Sequence, residues 1–256
     1  MTQADKARAF AELHVPGKPV VLYNIWDAGG AKAIAEAGAK AVATGSWSVA
    51  AAHGYPDGQA IPLEMVLEIV ERITATVDLP VTVDFEGAYA EAPDEAAANV
   101  TRLMQAGAIG INFEDQVVGG DGLHAVETQS ARIAAVRQAA DAADVPLFIN
   151  ARTDLFLKEK DREKHASLIA EAKERGAAYA AAGASGFFVP GLMDPALIGA
   201  VCEASALPVN TMMLPGAPPA ADQAAAGVAR ISYGPVPYFT AMKDLAERFG
   251  EATGGA

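Results

Sequence analysis

Short, almost wholly apolar runs recur eight times along the chain, and a polar or alanine-rich segment separates each run from the next. A run that is apolar nearly throughout, without the alternation of a half-exposed strand, is typical of parallel strands buried on both faces. The pattern therefore predicts eight strands, at Pro19 to Asn24, Ala41 to Ser46, Pro80 to Glu86, Ile109 to Asp115, Pro146 to Thr153, Gly186 to Gly191, Leu207 to Met212 and Val228 to Gly234.

Amphipathic, alanine-rich segments fill the intervals between these runs. The segment PLEMVLEIVERITATV has apolar residues at helical spacing, and another segment opens with PDE, a proline and two acids that suit the first turn of a helix. The pattern predicts helices at Ala28 to Ala37, Pro62 to Val77, Pro93 to Ala106, Glu127 to Ala142, Asp161 to Ala182, Pro195 to Ala204, Pro219 to Ala226 and Pro237 to Gly250.

Eight strands that alternate with eight helices predict the α/β class and, within it, a closed (β/α)8 TIM barrel. A doubly wound sheet is the alternative, but it normally has fewer strands and a glycine-rich nucleotide loop after the first one. The first loop here, NIWDAGGAKAI, lacks the G-x-G-x-x-G pattern. We see no linker or second domain, so we predict a single barrel domain over residues 1–256.

Composition narrows the possible partners. The 256 residues carry a formal net charge of −13, so nucleic acid and anionic membranes are not expected partners, because both attract basic surfaces. The one cysteine, Cys202, rules out an internal disulfide and a zinc site built from several cysteines. The chain has no signal-peptide pattern and no apolar stretch of about 18 residues, so we expect a cytoplasmic protein.

Acidic residues end two neighbouring strands of the predicted barrel, at the rim where barrel enzymes carry their chemistry. Asp84 and Glu86 are two residues apart, so both point to the same side of their strand, and Glu114 ends the next strand. Oxygen ligands of this kind suit Mg²⁺ or Mn²⁺. Arg152, at the end of the fifth strand, is suited to binding a carboxylate through two hydrogen bonds. A metal beside an arginine suggests a substrate with a 2-oxo carboxylate.

Other polar residues have simpler interpretations. Acids after strands often cap the next helix, which is an alternative for Asp27, Asp115 and Asp154. Trp26 and Trp47 are interpreted as core or pocket wall. The histidines have no partner in the sequence: we interpret His14, His124 and His165 as surface residues and leave His53, beside the pocket loop, open. Cys202 is interpreted as a small buried hydrophobe.

Several segments resemble the isocitrate lyase and phosphoenolpyruvate (PEP) mutase superfamily. They are NIWDAGGAKAIAEAGAKAVATGS, GYPDG, VDFEGAY, GINFED, INARTD, FVPGLMDP and GVARISYG, which occur in the order expected of that superfamily. The resemblance spans almost the whole chain, and it looks most like the short bacterial branch called PEP mutase-like or 2-methylisocitrate lyase-like.

The resemblance implies a (β/α)8 barrel whose eighth helix is exchanged between subunits of a homotetramer or dimer. It also implies one Mg²⁺ ion and a 2-oxo acid or its enol as ligand. By position, Asp84 resembles the direct metal ligand, and Asp57, Glu86 and Glu114 resemble the acids that hold the metal's water shell. Arg152 matches the arginine that anchors the substrate.

Two further segments resemble substrate-binding parts of the superfamily. Gly45, Ser46 and Trp47 match the segment whose N–H groups and hydroxyl hold the substrate carboxylate. Asn210 and Thr211 match a second substrate-contacting segment.

The sequence also departs from the superfamily in the loop after the fourth strand, Asp115 to Glu127. The isocitrate and methylisocitrate lyases carry K-[KR]-C-G-H there, and PEP mutase carries a lysine and a threonine-asparagine-serine segment, whereas this loop reads DQVVGGDGLHAVE. Gly191 replaces a glutamate of the lyases, and the last helix begins PVPYFTAMK, without their arginine. We therefore expect a smaller and less cationic pocket, without ordinary methylisocitrate lyase activity.

Three functions stay open. The first is a Mg²⁺-dependent carbon–carbon lyase or decarboxylase acting on a small 2-oxo or 2-hydroxy dicarboxylate, with Arg152 and Glu114 in the catalytic site and Tyr23, His124 or a metal-bound water as the base. The second is P–C bond chemistry on phosphonopyruvate, as mutase or hydrolase. The third is a non-catalytic protein that binds 2-oxo acids. We also predict that the glycine-rich loop from Gln116 to Ala125 is a lid over the site.

Overall fold

The computed structural model describes residues 1–254 as a barrel of eight parallel strands surrounded by helices. The strands lie in the order β1-β8-β7-β6-β5-β4-β3-β2, so each strand from β2 to β8 is next to its neighbour in sequence and β1 pairs with β8. This confirms the predicted (β/α)8 barrel, and each strand lies within a predicted run. The strands are β1 Val20–Leu22, β2 Val42–Ala43, β3 Val81–Asp84, β4 Gly110–Glu114, β5 Phe148–Arg152, β6 Gly186–Phe188, β7 Val209–Met212 and β8 Arg230–Ser232.

Helices follow every strand, and a further helix precedes the first one. The predicted segment Asp161 to Ala182 is divided into a 3-10 turn, Arg162–Lys164, and a long helix. Two short helices, α3 and α7, begin directly after strand ends at the upper rim and were not predicted. The helices are α1 Gln3–Glu12, α2 Ala28–Glu36, α3 Ser46–Ala52, α4 Leu63–Thr76, α5 Pro93–Gln105, α6 Val126–Ala142, α7 Leu155–Lys158, α8 His165–Ala181, α9 Pro195–Ala204, α10 Ala220–Ala225 and α11 Val236–Ala252.

The barrel closes between β1 and β2 through backbone contacts just beyond both strands. The Ile25 N–H donates to the Ala43 carbonyl at 2.9 Å, and the Gly45 N–H donates to the Ile25 carbonyl at 3.2 Å. The parallel register brings the carboxyl ends of the strands to one rim. It pairs Asp84 of β3 with Asn112 of β4, and Glu114 of β4 with Arg152 of β5.

The lower end of the barrel is closed by apolar side chains from α1. The Phe10 ring meets the Phe148 ring edge-on at 5.3 Å, and the His14 ring stacks on Phe148 at 4.1 Å. Leu22 and Ala43 complete this plug. His14 was predicted to lie on the surface, and this prediction is wrong because the side chain is buried in the plug. Its Nδ1–H donates to the Phe10 carbonyl at 2.9 Å.

The last helix, α11, leaves an apolar face in solvent. Phe239, Leu245 and Phe249 are 50, 61 and 69% exposed. The outer side of β1 is also uncovered, with Val21 at 50% and Tyr23 at 44% exposure. In a self-contained barrel the eighth helix would cover this side of β1.

No helix within residues 1–254 combines the length and the apolar character needed to cross a membrane.

Candidate active site at the upper rim of the barrel

A cavity of about 180 Å³ opens at the carboxyl ends of the strands. A wider outer cavity of about 430 Å³ shares Ser46, Asp57 and Arg152 with it and adds Glu86 and Glu114. The structure thus brings the four predicted metal-site acids and Arg152 to one place. The inner cavity is lined by Asn24, Gly45, Ser46, Trp47, Asp57, Asp84, Asn112, Arg152, Leu157, Phe188, Met212, Ser232, Gly234 and Pro235.

Asp84 ends β3 and is held from two sides. Its Oδ2 accepts hydrogen bonds from the Ser46 N–H at 3.0 Å and the Ser46 hydroxyl at 2.8 Å. Its Oδ1 accepts one from the Asn112 amide at 3.1 Å and lies 3.8 Å from Arg152 Nη1. These contacts fix the carboxylate plane. They also commit both Ser46 donors to Asp84, where the resemblance implied a substrate carboxylate.

Glu86 lies in a strained loop beside Asp84. Glu86, Ala88 and Tyr89 have φ angles of 49°, 58° and 56°, in the left-handed region that residues with a side chain rarely adopt. The Glu86 carboxylate accepts the N–H groups of Gly58 at 3.1 Å and Gln59 at 3.0 Å. The loop after β3 is therefore joined to the loop that carries Asp57.

Arg132, on α6, stabilises this loop from behind, and the sequence did not indicate it. Its Nη2 donates to the carbonyls of Gly87 at 2.6 Å and Ala90 at 2.8 Å, and its guanidinium lies 4.7 Å from the centre of the Phe113 ring. Gln129, one turn earlier, donates to the Glu114 carbonyl at 3.1 Å. One face of α6 thus supports the ends of both acidic strands.

Arg152 is surrounded by carboxylates. Its Nε and Nη2 donate to the two oxygens of Asp154, at 2.5 and 2.9 Å, and its Nη1 lies 3.0 Å from Glu114 Oε2. The two-bond face of the guanidinium is therefore occupied by Asp154, and only Nη1 points toward Glu114 and Asp84. A substrate carboxylate bound at Arg152 would meet that single donor, whereas the sequence suggested two.

The Asp154 and Asp115 side chains hold arginines, and neither makes a capping hydrogen bond, although Asp154 occupies the N-cap position of α7. Asp115 is fully buried and accepts the Asp154 N–H at 3.0 Å, the Tyr179 hydroxyl at 2.8 Å and Arg175 Nη1 at 3.2 Å. This cluster anchors the turn that carries Arg152. Asp27 alone among the three candidate caps does cap a helix, through the Gly30 N–H.

The acids raise one another's pKa values. Burial, followed by the negative charges of Asp84 and Asp57, raises the pKa of Glu86 to about 7. Burial also raises the pKa of Glu114 well above its ordinary value, although Arg152 opposes the shift. Desolvation by the surrounding loops and the charge of Asp84 raise the pKa of Asp57. A divalent cation among these groups would relieve the repulsion.

The donor set fits Mg²⁺ held mainly through water. Within residues 1–254 no three Asp, Glu, His or Cys side chains converge as direct ligands of one ion. Mg²⁺ usually keeps several waters and uses only one or two protein carboxylates, so this spacing suits it better than it suits zinc. The roles that the resemblance implies, with Asp84 as the direct ligand and Asp57, Glu86 and Glu114 around the water shell, are compatible with this spacing.

The β7 prediction needs correction. Thr211 points away from the cavity, and its hydroxyl donates to Gln223 of α10. Asn210 lies below the cavity and donates to the Ser232 hydroxyl at 3.2 Å. Because side chains alternate along a strand, Met212 is the β7 residue that lines the inner cavity, together with Ser232 of β8. Gly45 and Trp47 do line the cavity wall as expected.

Tyr23 is not supported as a base. Its ring is on the outer side of the barrel, 5.2 Å from Tyr233, while its neighbour Asn24 lines the cavity. His124 lies in a different cavity, beside Arg132 and Gln116. The structure agrees better with a surface histidine than with a catalytic base. Only the backbone of His124 joins the Asp115 cluster, because its N–H donates to the Asp115 carbonyl at 2.7 Å.

Two lysines at the mouth of the site were overlooked in the sequence. Lys158 and Lys160 follow the INARTD segment and line the outer cavity with Glu86 and Glu114. Their short distance in sequence from Arg152 was the available signal. They make the mouth more cationic than the sequence analysis suggested.

The glycine-rich loop forms a narrow hairpin above this rim. Gln116 and Leu123 pair across it, and the Val117 N–H donates to the Gly122 carbonyl at 3.2 Å. Gly119 and Gly122 have φ angles of 74° and 82°, which glycine adopts without strain. Gln116, at its base, lines the outer cavity.

A sequence profile of the family described as phosphoenolpyruvate phosphomutase matches residues 10–253. An uncharacterized protein of Mycobacterium tuberculosis H37Rv is 33% identical over 230 residues, which cover 90% of this chain and 83% of that one. The 2-methylisocitrate lyase of Escherichia coli K12 is 30% identical over 213 residues, which cover 77% of this chain and 69% of that enzyme.

Solved structures also match this chain over almost its whole length. A crystal structure from Burkholderia cenocepacia J2315, provisionally named a phosphonomutase, has a TM-score of 0.95 at 49% identity and covers 99% of this chain and 100% of its own. A phosphonopyruvate hydrolase solved with oxalate and Mg²⁺ shares the fold, with a TM-score of 0.82 at 23% identity over 100% of this chain and 89% of that one.

Proposed function

The chain belongs to the phosphoenolpyruvate phosphomutase family, in a superfamily of lyases and mutases, and from this premise we propose that it is a Mg²⁺-dependent carbon–carbon lyase or decarboxylase. Its substrate would be a small 2-oxo or 2-hydroxy dicarboxylate of the oxaloacetate or methylmalate kind. The observation that carries the proposal is the convergence of Asp57, Asp84, Glu86 and Glu114 on one cavity that also contains Arg152.

Each residue of the site has a physical task in this proposal. Asp84, held rigid by Ser46 and Asn112, would be the carboxylate that binds the ion directly. Arg152 would offer its Nη1–H to the substrate carboxylate, while Asp154 keeps the guanidinium in position. Bound Mg²⁺ would act as a Lewis acid toward the oxygen on which enolate charge develops. Apolar walls such as Phe188 and Met212 would exclude water from the inner cavity.

The lining of the inner cavity favours a reaction that needs few proton transfers. Among its described lining residues there is no histidine, lysine, tyrosine or cysteine. Loss of CO2 from a 2-oxo dicarboxylate needs charge stabilisation at the carbonyl and no protein base. A retro-aldol cleavage also needs a base for the hydroxyl proton, and neither Tyr23 nor His124 lines this cavity.

Turnover assays test this proposal directly. Purified protein would be incubated with oxaloacetate and with 2-methylmalate-type substrates, in Mg²⁺ and in EDTA. We expect Mg²⁺-dependent release of pyruvate or another 2-oxo product above the metal-only background. Tight Mg²⁺-dependent oxalate binding without turnover of any substrate would instead indicate a non-catalytic 2-oxo acid-binding protein.

P–C chemistry on phosphonopyruvate is the second candidate, and two observations favour it. The 49% identical Burkholderia protein bears the provisional name phosphonomutase. Lys158 and Lys160 also supply positive charge at the mouth, as a phosphonate would require. Phosphorus NMR of phosphonopyruvate incubated with the protein and Mg²⁺ distinguishes the two candidates, because conversion there would replace the lyase proposal.

The exposed face of α11 supports an assembly in which this helix packs on another copy of the chain, in a homotetramer or dimer. Two exposed apolar surfaces are complementary. One is the outer side of β1, and the other is the face of α11 with Phe239, Met242, Leu245 and Phe249. Light scattering after size exclusion tests this, with Leu245→Asp as the variant that should dissociate the assembly. A monomeric wild-type protein would contradict it.

The hairpin from Gln116 to Ala125 is proposed as the lid of this site, because it adjoins the outer cavity at Gln116. It lacks Lys, Arg and Cys, and the side chain of its His124 lines a different cavity, so it would exclude water without donating a proton to the substrate. Replacing Gly119 with alanine strains a positive φ without a steric clash, whereas alanine at Gly120 would put its Cβ 2.8 Å from Val117. Gly119→Ala is therefore the cleaner test: kcat should fall and Mg²⁺ affinity should not, while unchanged kinetics would indicate a turn without a role.

A further inference from the structure

A further buried arginine, Arg230, lies inside the barrel below the inner cavity. It is on β8, points inward and is 0% exposed. Its Nε donates to the Ser232 hydroxyl at 3.2 Å, and its Nη2 donates to the Asn112 side-chain carbonyl at 3.1 Å. Its Nη1 has no hydrogen-bond partner among the described residues.

The other buried arginines have carboxylate or backbone carbonyl partners, whereas Arg230 bonds only a side-chain amide oxygen and a hydroxyl. Arg175 contacts Asp115 and Glu171, and Arg152 contacts three acids. Burying a guanidinium among neutral groups costs free energy that a leucine or methionine would not. Burial lowers the pKa of Arg230 to about 9, which leaves it charged at neutral pH. A structural role alone does not explain this residue.

The surroundings of Arg230 leave its charge uncompensated from below and direct it toward the cavity. Beneath it lie the Phe10 ring, 5.9 Å from the guanidinium carbon, and His14. Burial and the charge of Arg230 lower the pKa of His14 to about 3, so this histidine is neutral. The acid that acts on Arg230 is Asp84, above it.

Both hydrogen-bond partners of Arg230 form the floor of the inner cavity. Ser232 and Asn112 line that cavity. The same Asn112 carbonyl also accepts from Asn150 at 2.8 Å, so its orientation is fixed, and its amide must then point to Asp84. The guanidinium thus lies one side chain below the place where a small anion would bind.

We propose that Arg230 is a positioning residue that makes this cavity an anion site, by holding Asn112 and Ser232 in place and supplying a fixed positive charge beneath them. This inference rests on the proposed function, because it concerns how the same cavity binds its anionic ligand. It explains how a chain with a net charge of −13 can accept a dianion at a rim crowded with carboxylates. Arg152 cannot do this alone, because Asp154 occupies two of its donors.

Removal of this charge should affect the binding of oxalate and the binding of Mg²⁺ in different directions. Arg230→Met keeps the length and apolar volume of the side chain and removes the cation. Oxalate, a dianion, should bind about tenfold more weakly at saturating Mg²⁺, because a buried charge is poorly screened. Mg²⁺ alone should bind as tightly as in the wild type or more tightly, because a repelling cation is gone. A variant that merely damages the fold would weaken both.

Isothermal titration of Mg²⁺, and of oxalate in excess Mg²⁺, measures both affinities in the full-length protein. Arg230→Lys, compared with the wild type at pH 6 so that burial does not remove the proton of the ammonium group, should keep oxalate affinity within about threefold of the wild type. Arg137→Met is the matched control, because Arg137 bonds only backbone carbonyls and a serine hydroxyl outside the barrel and pairs with Asp141. It should change neither affinity.

Each outcome decides between explanations. Weaker oxalate binding with unweakened Mg²⁺ binding supports the inference, also when no substrate is ever turned over. Equal loss of both affinities, or no change in oxalate affinity, overturns it. If Arg230→Met does not fold, Arg230→Lys binding oxalate more than tenfold more weakly than the wild type at pH 6, where its ammonium group is protonated, would overturn the charge argument. A wild-type protein that binds neither ligand contradicts the proposed function itself.

Discussion

The two ends of the barrel are lined by opposite kinds of side chain, although the same strands form both. The upper rim gathers Asp57, Asp84, Glu86, Glu114 and Arg152 around cavities, with backbone strain in the loop after β3. The lower end is filled by apolar residues such as Phe10 of α1 and Phe148 of β5. The residues for chemistry and those for stability are therefore separated along the strand axis, as is general for this fold.

The separation makes the two ends independently breakable, and Asp84→Asn should give the largest effect. The amide keeps an acceptor for Ser46 but loses the charge that would bind the ion. We expect activity to fall at least about a thousandfold, with Mg²⁺ affinity strongly reduced. Thermal unfolding in EDTA should change little, because one of several repelling charges is removed. A fully active variant with normal metal dependence would refute the site assignment.

The opposite variant, Phe10→Ala, should damage stability and spare the chemistry. Phe10 is fully buried in the lower plug, so its truncation should cost about 3–5 kcal/mol of unfolding free energy. Mg²⁺ affinity at temperatures where the variant is folded should stay within about twofold of the wild type, because Arg230 and Asn112 lie between Phe10 and Asp84 and keep their hydrogen bonds. Denaturant titration and calorimetry measure the two quantities. Joint loss of stability and metal affinity would show that the ends are coupled.

A smaller effect is expected where a rim acid acts only through its neighbour. Asp154→Asn leaves one acceptor for Arg152 in place of two, so the guanidinium should lose its fixed orientation. We expect kcat/KM to fall about 10- to 100-fold. Asp27→Asn is the matched control: it also lies at the rim, and asparagine still caps α2. Equal losses in both variants would contradict a specific role for Asp154.

The smallest expected effect is a pH dependence of the metal-free protein. The folded pKa of Glu86 is about 7, above the ordinary value of 4.5. The folded state therefore binds an extra proton between these values, and this contribution to stability is lost as pH rises through about 7. In EDTA, melting temperature should fall between pH 5.5 and pH 8, and Glu86→Gln should flatten that slope. Excess Mg²⁺ should stabilise the wild type more at pH 8 than at pH 5.5. A slope that Glu86→Gln leaves unchanged would assign it to other groups.

The barrel was predictable because its strands are buried on both faces and so stand out as uninterrupted apolar runs. The short helices α3 and α7 were not, since seven and four residues are too few to show a helical period. SWSVAAA, which forms α3, begins at the last residue of the run predicted as the second strand, and Gly45 alone marks the change from strand to helix.

Asp84, Glu86 and Glu114 were predictable from their positions at strand ends and Asp57 only from the resemblance, whereas the residues that support these acids were not predictable. Arg132 and Arg175 lie on helices, where a surface position is the ordinary interpretation of an arginine. Thr211 was assigned to the site, although the two-residue period of a strand directs it outward and Met212 inward. Arg230 interrupts an apolar strand in VARIS, and that interruption was the overlooked signal.

The claim that the upper rim holds one divalent cation beside a 2-oxo acid site is tested most directly by crystals grown with Mn²⁺ and oxalate. Anomalous scattering near the manganese absorption edge locates the ion without assumptions about its ligands. The account predicts one anomalous peak per chain, in contact with Asp84 and near Glu86 and Glu114, with oxalate between the ion and Arg152. An absent peak, or a peak elsewhere in the barrel, would contradict it.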